Sequence, residues 1–162
     1  MGKIYNKKNV IYKNGEYTIT QAFGVNKAYY GKWGLEGHEG IDLITPNEDW
    51  TLFAPTNGKV LQSEFSSVYG NFVKVECPKE RVVIYFCHMD DVYVQKGEKL
   101  SKGQPIGIMG NTGNSFGVHL HFMGYQYFKG LPLKRLNYGN GFKGMINLLP
   151  LIKKWIAEGE DS

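Results

Sequence analysis

Four histidines and one aspartate stand at spacings that suit a metal ion. His38 and Asp42 are four residues apart, His88 closes the run Tyr85-Phe-Cys-His88, and His119 and His121 are two apart. Zinc takes imidazole nitrogen and carboxylate oxygen, and a catalytic zinc site uses three protein ligands while leaving a position for water. Five candidates exceed three ligands. The surplus fits hydrolysis, in which further side chains must move protons and stabilise an oxyanion.

These residues need elements to position them. Residues four apart share a face in a helix and in a strand alike, so spacing does not choose between the two for His38 and Asp42. Gly37 and Gly40, with Ile41, Leu43, Ile44 and Pro46 downstream, argue against helix and place the pair where a glycine-rich loop enters a strand. His119 and His121 open the strongest strand pattern, so their side chains leave one face about 7 Å apart and border one small site, whether or not both bind the metal. His88 ends an apolar strand, where a lone histidine reads most simply as a satisfied core residue. Asp90 and Asp91 after it read as solvated turn residues, one of which is available to orient an imidazole.

The stretch Gly107 to Gly117 is glycine-rich, but no Gly-Lys-Ser/Thr follows, and a strand rather than a helix comes next. A phosphate loop is excluded on that context. The stretch reads as a loop delivering His119 and His121, with Asn111, Thr112 and Ser115 as candidate substrate contacts beside their turn-forming duty. Tyr29 and Tyr30, shortly before His38, offer a phenol to a developing oxyanion.

Alternation between turn formers predicts strands over 16–20, 58–63, 71–76, 81–88 and 119–128. No strands alternate with long helical patterns, so the fold class is mostly β and antiparallel rather than a parallel βαβ sheet. A short C-terminal helix begins near Pro150, with Leu151, Ile152, Trp155 and Ile156 on one face, as a packing lid on the sheet. If 78–81 is a four-residue hairpin loop, Cys77 pairs with Val82 and Cys87 lies opposite Phe72. The two sulfurs are then too far out of register to bridge, which predicts two free thiols.

At 162 residues, 42% of them apolar and 21% charged, the chain reads as one globular domain, 1–162. Its 21 glycines and 14% aromatics suit β-structure with tight turns. The net charge of +4 is mild and spread out. It would favour approach to an anionic polymer, while no basic and aromatic stripe points to nucleic acid. No stretch reaches transmembrane length, and residues 1–10 show no apolar core of a signal peptide.

In order and spacing, several runs resemble the lysostaphin/LytM-type zinc metallopeptidases. They are Ile19-Thr-Gln-Ala-Phe-Gly24, His38-Glu-Gly-Ile-Asp42, Ala54-Pro-Thr-Asn-Gly-Lys-Val60 and Tyr69-Gly-Asn-Phe-Val73. Tyr85-Phe-Cys-His88, the stretch 97–107, Gly110-Asn-Thr-Gly113 and Gly117-Val-His-Leu-His-Phe122 continue the likeness, which covers about 17–128. The resemblance implies an antiparallel β-sheet peptidase domain with a groove over the metal, residues 129–162 forming a packing extension. It implies one zinc ion held by His38, Asp42 and His121, with His88 and His119 as the catalytic pair; Tyr30 and Asn111, read from the residues themselves, stand beside them as the substrate-binding candidates. It also implies a substrate among the peptide cross-links or stems of bacterial peptidoglycan. Departures at Asn26, Met89, Met123 and Gly124 bear on substrate preference. The expected setting is the bacterial cell wall, reached as a monomeric phage lysis or virion component or as a domain of a longer secreted protein. A non-catalytic, zinc-stabilised wall-binding or activator module is the alternative.

Overall fold

A computed structural model describes residues 4–160. Ten strands form one antiparallel sheet: β1 (Thr18–Gln21), β2 (Ile41–Ile44), β3 (Thr51–Phe53), β4 (Gly58–Ser66), β5 (Gly70–Cys77), β6 (Val82–Val92), β7 (Lys99–Leu100), β8 (Pro105–Met109), β9 (Leu120–Phe128) and β10 (Leu131–Arg135). The main path runs β1-β2-β9-β6-β5-β4-β7, with β10 on β9 and β8 joining β3 to β6. A short helix, α1 (Lys27–Tyr30), lies in the loop before β2, and α2 (Leu149–Glu160) closes the chain. Among the described residues no helix is long and apolar enough to cross a membrane.

The mostly antiparallel β class matches the expectation, and so does the C-terminal helix. All five expected strands are present with slightly different ends. The loop over 107–117 is shorter than expected, because residues up to Met109 belong to β8.

The sheet buries both faces at its centre, which is why β6 reads as one apolar run, Val82 to Met89. One face carries the main core, including Leu43, Val73, Val75, Ile84, Phe86, Leu120 and Phe122. Ile152 and Trp155 of α2 pack into this core, fully buried. The Asn147 side chain accepts the Leu149 amide at 3.1 Å to start that helix. Trp155 donates its indole N–H to Glu80 at 2.6 Å. The opposite face carries a smaller cluster built on Phe72, Tyr85, Cys87, Met123, Tyr125 and Met145.

The hairpin between β5 and β6 pairs Cys77 with Val82. Cys77 belongs to the main core and Cys87 to the opposite cluster, so the sheet itself separates two free, buried thiols. Near Cys87 the ladder slips: Val73 pairs with Phe86, but Asn71 pairs with Met89. Between those pairs β5 supplies one residue, Phe72, and β6 supplies two, Cys87 and His88. This is a β-bulge, and His88 sits in it at a φ of 63°.

Candidate active site

Strict alternation along β6 would turn His88 to the same face as Phe86, into the apolar core. The bulge resets the alternation. Met89 returns to the main core with Phe86, and the His88 ring turns to the other face, its centroid 5.1 Å from that of His119. A non-glycine residue in the left-handed region costs about 1 kcal/mol, so backbone strain accompanies the re-aimed imidazole.

The other site residues come from register. Asp42 of β2 is the direct cross-strand partner of His121 of β9, and Cys87 flanks His121 on the other side. His119 precedes β9, where it bridges Gly110. His38 lies in the loop that enters β2, as Gly37 and Gly40 suggest. Gly40 between them is obligatory: a Cβ there would stand 2.8 Å from both the His121 ring and the Phe122 carbonyl.

Three donor atoms converge. His38 Nε2 lies 3.2 Å from His121 Nδ1 and 3.3 Å from Asp42 Oδ1, and His121 Nδ1 lies 3.0 Å from Asp42 Oδ1. Ligands about 2.0–2.1 Å from a shared tetrahedral centre stand roughly 3.3 Å from one another, so this triangle fits a zinc-sized cation. His38, Asp42 and His121 therefore could hold a metal ion. His119 Nε2 sits 3.8 Å from the same Asp42 oxygen.

The outer partners set the tautomers. Nδ1–H of His38 donates to the Ala22 carbonyl at 3.3 Å, that of His88 to Thr112 at 2.7 Å, and that of His119 to Gly117 at 2.8 Å. Each leaves its Nε2 lone pair toward the site. His121 is reversed. Its Nδ1 faces the triangle while Nε2 faces Glu39 Oε1 at 3.5 Å, too far for a good hydrogen bond.

Electrostatics follow from these contacts in the metal-free chain. Burial works against a charge on His121, but Asp42 and Glu39 outweigh it and lift its pKa to about 9. Burial likewise opposes ionisation of Asp42, yet His121 and His38 hold that carboxyl well below the usual carboxylate range. Glu39 is also lowered, burial being outweighed by His121. His88 moves the other way: burial takes it down to about 4 against the opposing Thr112 hydrogen bond, so its imidazole is neutral at pH 7.

A groove of about 1060 Å³ runs over these groups, lined by Tyr30, His38, Tyr69, His88, His119 and Arg135 among others. Tyr30 donates its hydroxyl to Gln21 Oε1 at 3.3 Å and stacks 5.2 Å from the His38 ring. Burial raises its pKa to about 12, so the phenol keeps its proton. Asn111 is exposed and does not line the groove, whereas Asn114 and Ser115 of the same loop do. Asp90 and Asp91 are exposed, and Asp91 accepts the neighbouring Val92 amide at 2.9 Å.

Two participants have roles that the sequence did not indicate. The Thr112 carbonyl orients His88, while the Thr112 hydroxyl donates to the Met89 carbonyl at 2.8 Å and accepts the Asn71 amide at 3.1 Å. That makes Thr112 a brace across the bulge, not a turn former alone. Glu39, behind His121, is one residue from His38 and has no periodicity to mark it.

Known proteins resemble this chain. Peptidoglycan DD-endopeptidase ShyA of Vibrio cholerae is 33% identical over 85 residues, which are 52% of this chain and 19% of that protein. An uncharacterized metalloprotease of Buchnera aphidicola is 28% identical over 121 residues, 75% of this chain and 32% of its own. The chain thus spans about a fifth to a third of the length of these curated relatives. Among solved structures, LytU superposes with a TM-score of 0.63 at 27% identity over 84% of both chains. The catalytic domain of lysostaphin from Staphylococcus simulans superposes with a TM-score of 0.64 over 85% of this chain and 92% of its own, and at 23% identity that likeness speaks to the fold. Residues 36–133 match the model of Peptidase family M23, and the chain belongs to that family.

Proposed function

We propose that this chain is a zinc-dependent endopeptidase that hydrolyses peptide cross-links or stem peptides of bacterial peptidoglycan. The observation that carries the reading is the donor triangle of His38, Asp42 and His121 with two further imidazoles, His88 and His119, presenting free Nε2 lone pairs beside it. Family membership and the DD-endopeptidase relatives support the reaction class and the wall as its setting.

In this mechanism one zinc ion, when bound by the three ligands, supplies Lewis-acid polarisation of a carbonyl and makes a water acidic enough to deprotonate near pH 7. The residues of the chain do the rest. His119, with Nε2 reaching toward Asp42 and Nδ1 fixed on Gly117, takes the proton of the attacking water at Nε2 and returns it to the leaving amine. His88, its Nδ1–H held on the Thr112 carbonyl, shares the proton relay at Nε2, and from that nitrogen donates to the oxyanion once it has taken up a proton there. Tyr30, protonated through neutral pH, lines the groove beside His38 and contacts the substrate. Asn111 is the weaker of the two substrate candidates, since it lies outside the groove lining.

Purified sacculi of several cross-link types, digested with and without a chelator and then with zinc restored, test this reading. Mass spectrometry should find new amine termini only in the zinc-replete digests. Intact sacculi of every type in the presence of zinc-loaded protein would leave a non-catalytic wall-binding or activator module as the better account.

A further inference from the structure

Beyond His121, the same face of β9 continues with Met123 and Tyr125, both buried, and two cationic side chains gather at Tyr125. Arg135 of β10 lays its guanidinium over the Tyr125 ring, Cζ 4.6 Å from the centroid. Its Nη1 donates to the Lys143 carbonyl at 2.9 Å and its Nη2 to the Tyr85 hydroxyl oxygen at 3.4 Å. Lys74 of β5 is the cross-strand partner of Tyr85 and brings its ammonium 5.3 Å from the Tyr85 ring and 5.6 Å from the Tyr125 ring. Lys74 is only 9% exposed.

Two cations therefore flank one tyrosine, and among the described residues neither has a carboxylate within 4 Å. The acid two residues along β5, Glu76, accepts the Tyr127 hydroxyl at 3.2 Å instead. The Tyr85 hydroxyl hydrogen and the Lys74 ammonium have no acceptor among the described residues. Burial, and then the charge of Arg135, depress the Lys74 pKa. Like charges held together away from bulk water repel, and an anion placed between them relieves the repulsion while accepting charge-assisted hydrogen bonds.

Arg135 lines the same groove as His38 and His121. Tyr125 is four residues along β9 from His121, roughly 13 Å at strand rise, or about four residues of an extended peptide. We propose that Arg135, Lys74 and the Tyr85 hydroxyl form a carboxylate subsite that grips a free carboxylate of the peptide substrate, remote from the bond that is cut. The inference rests on the endopeptidase reading of the groove and adds what the substrate must carry.

The test uses paired synthetic wall peptides, identical except that one bears a free carboxylate and the other a carboxamide. Both are titrated onto zinc-loaded chain carrying His119→Ala, and both are offered to the unaltered enzyme. The acid should bind about tenfold tighter, and its advantage in kcat/KM should sit in KM. Arg135→Gln should shrink both preferences to about twofold, and Lys74→Met should do so independently. The acid–amide comparison on the unaltered groove stands even where a variant folds poorly. Equal binding of acid and amide would overturn the subsite, as would a preference that survives Arg135→Gln. Displacement of the acid peptide by an equal concentration of inorganic phosphate would assign the site to free phosphate and overturn it too. If the acid binds preferentially and neither peptide is cut, the endopeptidase reading fails and the subsite stands.

Discussion

The two faces of β9 divide the labour of the molecule. Leu120 and Phe122 point into the main core, wholly buried, against Leu43, Ile84 and Phe86. His121 and Tyr125 alternate with them and point the other way, His121 into a cluster of ionisable groups and Tyr125 beneath an arginine. One face is apolar, and dispersion and water exclusion hold it together. The other sets half-compensated ionisable groups beside a smaller apolar cluster, and needs the first to keep its side chains in place. Adjacent residues of one strand thus have unrelated tasks, and parity along the strand decides which task each receives.

Exchanging the two should give separable defects. His119→Ala, on the groove side, should cut peptide hydrolysis by about 10²–10⁴-fold while zinc content and Tm stay unchanged, read by fragment release and metal analysis. Zinc lost along with activity would move His119 into the ligand set. Phe122→Ala, on the core side, should cost about 3–5 kcal/mol in urea unfolding. Zinc binding measured well below the unfolding transition should survive that change, and its loss would show that the faces are not separable.

Proton release sharpens the electrostatic half of the contrast. With its pKa lifted to about 9, His121 carries an extra proton in the metal-free chain at pH 7, and a metal at Nδ1 must displace it. About one proton should leave per metal bound, seen by titration calorimetry in buffers of different ionisation enthalpy. Through this proton alone, affinity should rise about tenfold per pH unit up to about pH 9 and then level off. An affinity flat between pH 6 and 8 would contradict the carboxylate-bound imidazolium.

Smaller effects test the join between the faces. Thr112→Val removes the hydroxyl that bridges Asn71 and Met89 and should cost about 1–2 kcal/mol of stability, with a fall in activity as His88 loosens. Full activity in that variant would show that the Thr112 carbonyl needs no such brace. The smallest change concerns the thiols. Burial pushes the Cys77 and Cys87 pKa values upward, so neither should react with a thiol reagent in the native protein at pH 7, and both should react in denaturant.

Much of this was readable in the residues. His119 and His121 two apart at the start of a strand, and Asp42 four from His38 at a glycine-marked loop-to-strand junction, were visible as pairs that each share a face, whereas the cross-strand pairing of Asp42 with His121 is set by the β2–β9 register, which spacing does not show. The long strands were legible because apolar or alternating runs of six or more residues stand between turn formers. Thr51–Phe53 and Lys99–Leu100 are too short to show alternation, and Lys27–Tyr30 is a single turn among turn-forming residues. His88 was visible as a candidate but its direction was not, since alternation sends it into the core. Only the two-against-one pairing with Phe72, a tertiary event, turns it around. Glu39 and the cationic pair at Tyr85 have no periodic signature, because they acquire meaning from neighbours distant in the chain.

The bulge also ties three stretches of chain together through a single peptide unit. The left-handed turn at His88 swings its amide onto the Tyr69 carbonyl at 2.7 Å, out of the ladder, while its ring hangs from Thr112. A chain shortened by one residue at Cys87 would restore ordinary pairing and still offer an imidazole to the groove. It would lose the sideways weld between the β4–β5 turn and the loop after β8. Homologous chains without the extra residue should therefore have to anchor those two loops by some other means, and loop mobility rather than imidazole direction is where the difference should surface.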